Sequence, residues 1–489
     1  MIKPFLSALG AAAFVTTTPL MAQNAQERLD SKYDRALAAG YKALMLCSAI
    51  GNAEKNGASR TPESVHAWEL TGIQAPLNAI VQDLEYEIVR RQSGQIAHVA
   101  VDWAQDMPPR VAAYFAESGC SALPIGTPED WSESERAIAV EDSAPEETKV
   151  IAAFDLEVNE TENFVSKLSR PFGSVFAGAM DEKYGKGTRT TAVLVREIEN
   201  GSLKSESASF RKGFDENTPQ RTWSVAKSIA ATLVGAAVQS GDADVSAPVG
   251  MNYWRQGGGA EPRNAITLDH MLRMSSGRYS DTPGNRTDPL YWGGATVNEH
   301  ATGWPLIHQP GTVYRYANND TLMAVKAINQ FLGFYPPSEF FEKLGMNNTV
   351  AETDIRGDYI LSSQVWSTAD DLAKLGQLYL NDGVINKGQV NEERMLPENW
   401  REYVSDPSGP QPEGRQWGYG AGWWTFRRPE GNAFEGIPDD AFAARGNRGQ
   451  YLVVVPSRNI VIVRRGEDPV GSRFDIIAFT RDILAALEQ

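Results

Sequence analysis

Histidine and cysteine are scarce in this chain: 489 residues carry five His and two Cys. Zinc sites draw their ligands from clustered His, Cys and carboxylates, so little zinc chemistry fits so few dispersed residues, and two Cys exclude a disulfide-dense scaffold. No His-Glu-x-x-His, Cys-x-x-Cys or Gly-x-Ser-x-Gly is present. The zinc-protease, dithiol and nucleophile-elbow readings fall away with them, and none of the five His sits in a catalytic setting. Positive charge is also in deficit, with 46 Lys+Arg against 62 Asp+Glu and a net charge of −16. Such a balance repels a phosphate backbone and argues against a nucleic-acid partner. After the first residues no run of 18 or more apolar side chains follows, so no later membrane span is expected. Composition excludes collagen, coiled coil and wholesale disorder, because 43 Gly and 27 Pro are interspersed with 12 Trp, 16 Tyr and 18 Phe.

The N-terminus places the chain. Lys3 precedes an apolar stretch over 5–15 and then Leu20-Met21-Ala22, which reads as a secretory signal cut after Ala22; a buried N-terminal helix is the alternative. The mature protein is then expected in the periplasm or outside the cell, with no membrane span. In an oxidising compartment Cys47 and Cys120 are expected to pair with each other rather than to stay as buried thiols.

Three segments are expected: a signal over 1–22, an N-terminal extension over 23–150 with no catalytic grouping, and a hydrolase domain over 151–489. In the extension, 24–46 reads as a helix, 96–103 alternates like a strand, and 124–149 is an acidic, Pro- and Ser-containing linker. Beyond it, 191–199 is a β-branched strand leading into Asn200-Gly201, a hairpin turn. A small-residue helix is expected over 224–239, stopped at Gly241, and another from Thr368 to the Asp382-Gly383 cap. Runs over 451–455 and 459–464 around Pro456-Ser457-Arg458 read as a hairpin, followed by a helix over 473–488. Strands at both ends with helices between them suggest one layered α/β domain whose ends meet.

What remains for chemistry is a serine and a lysine. Ser224-Val225-Ala226-Lys227 opens the small-residue helix, and residues three apart share a helix face, so the amine reaches the hydroxyl. The N-terminal N–H groups and dipole of the helix favour a developing oxyanion and a neutral amine. Ser209-Phe210-Arg211-Lys212 has the same spacing but runs into Gly213 without a helix. Tyr316-Ala317-Asn318 supplies a phenol and an amide ahead of a helical run; its rival, Tyr379-Leu380-Asn381, ends a helix and reads as structural. Gly446-Asn447-Arg448-Gly449-Gln450 precedes the terminal hairpin, where glycine permits close backbone approach of a substrate. Gly418-Tyr419-Gly420-Ala421-Gly422 imitates a phosphate loop but lacks the adjoining Lys-Ser/Thr; Trp417, Trp423 and Trp424 make it an aromatic strand instead.

In order along the chain, these elements resemble the serine β-lactamase and penicillin-binding superfamily. The likeness is to the class C-like group that includes family VIII carboxylesterases and 6-aminohexanoate-dimer hydrolase. It rests on Thr222-Trp223-Ser224-Val225-Ala226-Lys227-Ser228, Leu272-Arg273-Met274-Ser275-Ser276-Gly277, Tyr316-Ala317-Asn318, Ser367-Thr368-Ala369-Asp370-Asp371-Leu372, and Gly449-Gln450-Tyr451 to Val455-Pro456. The resemblance covers about 165–489.

The resemblance implies a five-stranded antiparallel sheet flanked by helices, an all-helical lobe, and a site between them. It implies Ser224 as the acylated nucleophile, Lys227 as its activating partner, Tyr316 as proton relay, Asn318 as the group that orients the substrate amide, and Asn447 as a donor to the oxyanion beside the Ser224 N–H. Either Lys227 or Tyr316 can serve as base. The third motif departs from the family pattern: Asn447-Arg448-Gly449 stands where β-lactamases carry Lys-Thr-Gly. Arg448 is either a fork for a substrate carboxylate or a salt-bridged surface residue. Tyr279 is either a substrate contact or a packing residue. The expected substrate is a small amide or ester; a β-lactamase or D-Ala-D-Ala carboxypeptidase, and a non-catalytic module that binds envelope peptides, are the alternatives. No cofactor or metal is called for.

Overall fold

The computed structural model of the protein describes residues 18–128, 131, 157–160, 163–170, 172–255, 258–279 and 287–488, with the backbone alone for 18–23, 157–160 and 258. The apolar stretch of the expected signal, and most of the expected linker over 124–149, lie outside the described residues.

The expected helix at the start is longer than the sequence pattern suggested, running Thr18–Lys55. Its inner side is built of small residues, Ala36, Ala38, Ala39, Ala43 and Ala49, all buried. Small side chains let it settle closely on its neighbours. At Gly40 a Cβ would lie 2.0 Å from the Trp292 carbonyl oxygen, and at Gly51 2.7 Å from the Tyr114 ring. The helix lies on a four-stranded antiparallel sheet, Tyr86–Arg90, Ile96–Val101, Arg110–Phe115 and Gly119–Ala122, which contains the strand expected at 96–103. A disulfide joins Cys47 on the helix to Cys120 on the last strand.

This N-terminal layer is packed into the rest of the chain. Fully buried Arg110 donates to the carbonyls of Ala36, Leu123 and Trp292. Arg448, from the other end of the sequence, donates to those of Trp68 and Thr71. One continuous apolar cluster includes Leu44, Ile50 and Val99 together with Leu233, Trp366 and Leu452.

The central antiparallel sheet is larger than the five strands expected. Nine strands are hydrogen-bonded in one sheet, with Phe442–Gly446, Gln450–Val455, Ile460–Gly466, Thr190–Glu199 and Ser202–Arg211 consecutive at its centre. Short strands Trp424–Thr425 and Gly418–Tyr419 extend one edge, and Phe164–Leu168 and Glu157–Glu160 the other. The expected hairpin turns at Asn200-Gly201, where both φ are positive (51° and 83°), as a tight two-residue turn requires.

Alternation along the strands divides the core. Leu194, Leu452, Val454, Val461 and Val463 face the helical side, with helices Ala226–Gln239 and Ala369–Leu380. Val193, Val195, Val453, Val455, Ile460 and Ile462 face helices Gly173–Met180 and Ile476–Ala486. Each such side chain, fully buried, contributes about 1.5–3 kcal/mol. The segment between the two halves of the sheet supplies the helical lobe, and the nucleophile turn lies against strand Phe442–Gly446, where a Cβ on Gly446 would come within 2.4 Å of the Thr222 oxygen.

Candidate active site

The expected helix over 224–239 starts two residues later than its spacing suggested. Trp223–Val225 is a 3-10 turn that leads into helix Ala226–Gln239. Trp223 has φ +51°, a conformation that a bulky residue adopts only under constraint. Ser224 therefore stands on a tight turn and keeps partial exposure while Trp223, Val225 and Lys227 are buried.

Lys227 Nζ lies 3.1 Å from Ser224 Oγ, 2.6 Å from Asn318 Oδ1 and 2.8 Å from the Ser362 carbonyl oxygen. Burial lowers the amine from 10.5 to about 7, since no described carboxylate pairs with it and a buried charge is costly. In the neutral amine two hydrogens go to Asn318 Oδ1 and Ser362 O, and the lone pair is left for the Ser224 hydroxyl. The geometry suits a base.

Tyr316 arrives from the loop before helix Asn318–Ala327, and Asn318 is the first residue of that helix. That loop is braced by the Leu272–Gly277 motif: Arg315 N–H donates to the Met274 carbonyl, and Ala317 N–H to Met274 Sδ. Ser276 and the buried Arg278 both donate to Asp320 in the first turn of the helix. Tyr316 faces Ser224, and the Lys227 amine lies 5.1 Å from its ring centroid. Burial raises the phenol far above its ordinary value of 10, and the hydrogen bond with Ser224 offsets only part of that rise. Tyr316 is thus a neutral donor across the physiological range. Asn318 Nδ2 donates to Thr287 Oγ1, which fixes the amide with its oxygen towards Lys227.

Two sequence expectations need correction on the third motif. Arg448, considered for a substrate carboxylate, is buried with its Nε 2.5 Å from Glu467 Oε2 and Nη2 on the carbonyls of Trp68 and Thr71. Its φ of +56° turns the side chain into the N-terminal layer. Gly449 (φ +77°) serves a close approach, but by Arg464: a Cβ there would lie 1.8 Å from Arg464 Nη1. Asn447 is exposed at the end of strand Phe442–Gly446. Tyr279 packs on Trp304 at 6.0 Å between ring centroids, with Arg315 5.5 Å over its ring. Tyr379 is structural, its hydroxyl 2.8 Å from Thr232 Oγ1 in the core.

Other residues join the site that the sequence reading did not assign to it. The Ser362 carbonyl holds Lys227, and backbone acceptors leave no motif. Tyr419 and Trp424 flank Tyr316, with ring centroids 6.1 and 5.6 Å away. They come from the glycine-rich aromatic segment that imitates a phosphate loop. Arg445 stacks 4.9 Å from the Trp424 ring and 4.2 Å from that of Trp417, and none of the described carboxylates forms an ion pair with it. Its signal was its place in the strand before Asn447. Among the described residues no cluster of His, Cys, Asp or Glu is suited to a metal, and no helix is long and apolar enough to cross a membrane.

A serine and a lysine on one helix start, a Tyr-x-Asn loop and an antiparallel strand beside them define a β-lactamase-fold serine hydrolase. The Beta-lactamase family model matches residues 183–483, and the chain belongs to that family. A search of curated proteins gave no match. Among solved structures, a Bacillus anthracis protein provisionally assigned as a 6-aminohexanoate-dimer hydrolase is similar, with 20% identity over 64% of this chain and 81% of its own, at a TM-score of 0.50. A Bacteroides dorei protein provisionally assigned as a beta-lactamase shares 19% identity over 66% of this chain and 100% of its own, also at 0.50. At such identities the likeness is one of fold.

Proposed function

We propose that the protein is a serine hydrolase that cleaves small amides or esters through an acyl-enzyme on Ser224. The observation that carries this reading is the lone-pair geometry of Lys227: a buried amine near neutrality, both hydrogens engaged by Asn318 and Ser362, 3.1 Å from the Ser224 oxygen. In acylation Ser224 Oγ bonds to the substrate carbonyl carbon while its proton passes to Lys227. The oxyanion is met by the N–H groups of Ser224 and Asn447, each such donor worth roughly 3 kcal/mol of barrier. Collapse breaks the bond to the leaving group, which is protonated by Tyr316, a neutral phenol suited to that transfer, as the phenol recovers a proton from Lys227 and leaves that amine neutral. Water, deprotonated by Lys227, then attacks the ester carbonyl carbon; the acid leaves, and Lys227 returns the proton to Ser224 Oγ.

Arg445, at the edge of the aromatic wall behind Tyr316, takes the role considered for Arg448, that of holding a carboxylate on the substrate. Residues 23–150 are an extension joined to the hydrolase domain over 151–489. The disulfide supports a periplasmic or secreted location. A panel of short p-nitrophenyl esters, linear amide dimers and nitrocefin tests the reading. Turnover of esters or amides that vanishes in Ser224→Ala is expected; preferential nitrocefin hydrolysis would move the enzyme to the penicillin-directed alternative.

A further inference from the structure

Arg221, three residues before the nucleophile, is 1% exposed, and none of the described carboxylates forms an ion pair with it. A buried guanidinium is costly, and such a group stays in a core only where its donors are used. Its Nη2 donates to Ser363 Oγ at 2.7 Å and its Nε to the Ser363 carbonyl at 3.3 Å. Its plane lies over the Trp223 ring, with Cζ 3.8 Å from the centroid. The third side is closed by Met45 of the N-terminal helix, whose sulfur is 4.0 Å from Nη1. Glu352 and Glu467 face it from farther off, together with the hydroxyls of Tyr41 and Tyr291.

These contacts reach both members of the Ser–Lys pair. Trp223 is the residue held at φ +51° immediately before Ser224. A non-glycine residue there is strained, and it persists only if its surroundings hold it. Ser363 follows Ser362, whose carbonyl takes a hydrogen from Lys227 at 2.8 Å. Strand Gln220–Arg221 is itself hydrogen-bonded to strand Val365–Ser367, and Thr222 N–H donates to the Val365 carbonyl. We infer that Arg221 is a positioning residue: by stacking on Trp223 and gripping Ser363 it sets the distance and direction between Ser224 and Lys227, with the N-terminal helix sealing it from water. This inference rests on the serine-hydrolase reading above and gives the N-terminal layer a part in it.

The test compares Arg221→Met, Arg221→Lys and Ser363→Ala with the parent enzyme on a p-nitrophenyl ester. Readouts are kcat and KM separately, the pH midpoint of kcat/KM, the rate of fluorophosphonate labelling and the melting temperature. A misplacement near 1 Å costs about 100-fold in rate, so Arg221→Met is expected to lose about that much in kcat at nearly unchanged KM. Its pH midpoint is expected to move up, as water reaches Lys227. Arg221→Lys, which keeps a cation over the ring but loses the fork, is expected to recover part of kcat, and Ser363→Ala to fall between. A merely structural residue lowers the melting temperature and the yield of active protein but leaves the midpoint where it was. If Arg221→Met does not fold, Ser363→Ala decides. Folded variants with parental kcat and an unshifted midpoint overturn the inference, while loss of all turnover in Ser224→Ala in the same assay shows that the hydrolase reading stands. Turnover that survives Ser224→Ala overturns that reading instead.

Discussion

Lys227 Nζ sits 3.1 Å from Ser224 Oγ with its other two contacts to Asn318 Oδ1 and the Ser362 carbonyl. Among the described residues the amine is held by acceptors alone, and its charge is opposed by burial with no carboxylate to offset it. In the proposed mechanism, a lysine so placed is the base at neutral pH.

The pH dependence follows. With the amine lowered from 10.5 to about 7 by burial, it is protonated and idle below that value and free above it. The ester kcat/KM is expected to rise through a single limb centred near 7 and then level off, because Tyr316 is shifted the other way and keeps its proton. Lys227→Met is expected to lose about 10²–10⁴-fold. The same shift has a stability consequence. Between 7 and 10.5 the unfolded chain binds the proton that the folded chain has lost, so the Lys227 term costs most below 7 and is relieved as pH rises. Lys227→Met is thus expected to melt higher than the parent at pH 6, with the gap closing towards pH 10 in pH-resolved thermal unfolding.

Arg445 and Arg448 separate by kinetics. Arg445→Ala is expected to raise KM for esters that carry a terminal carboxylate, about 10-fold or more as for a lost charged contact, with little effect on neutral esters. Arg448→Ala strips a partner from buried Glu467 and is expected to lower stability by about 3–5 kcal/mol, with KM unchanged in the folded fraction. Equal KM effects from the two would contradict the assignment.

Glu352 shows the opposite linkage to Lys227. Buried between the N-terminal layer and the lobe, it accepts from Asn52 Nδ2 and Cys120 N–H through Oε1, and burial raises it from 4.5 to about 7. The folded chain keeps the proton in that interval and the unfolded chain gives it up. Its cost is absent below 4.5 and complete above 7, so stability is lost as pH rises. Glu352→Gln keeps both hydrogen bonds to Oε1 and removes the ionisation. It is expected to raise the melting temperature at pH 8 and to leave it near the parental value at pH 4.5; a lower melting temperature at pH 8 would count against this.

The Cys47–Cys120 disulfide closes a separation of 73 residues, which in the chain-entropy model is worth about 4 kcal/mol. Titration of the denatured, unreduced protein is expected to find no free thiol, and Cys47→Ala/Cys120→Ala to unfold at markedly lower denaturant. Because the bridge ties down the helix that carries Met45, ester turnover in the double variant should become more temperature-sensitive.

The grouping of the candidate site residues was legible because their spacing is local. Ser224 and Lys227 share one helix start, Tyr316 and Asn318 one loop, and Asn200-Gly201 and Pro456-Ser457-Arg458 announce their turns by conformational demand. The strand edges were not legible: Gly418–Tyr419 and Trp424–Thr425 are two residues each and exist because the sheet offers them a partner. Arg448 misled for a related reason. Its residue type fits a carboxylate, but its left-handed backbone, which only the packed structure reveals, points it at Glu467. Arg445, on the strand before that turn, is the one that meets the aromatic wall. The tie between Arg221 and Ser363 spans 142 positions of the chain and leaves no pattern in either segment.

The most direct test is peptide-resolved mass spectrometry of the enzyme quenched during turnover of a p-nitrophenyl ester. A mass increment equal to the acyl group on the peptide that contains Ser224, absent from Ser224→Ala together with turnover, is the predicted result. Turnover that continues in Ser224→Ala, or an acyl group found only on another residue, would contradict the account.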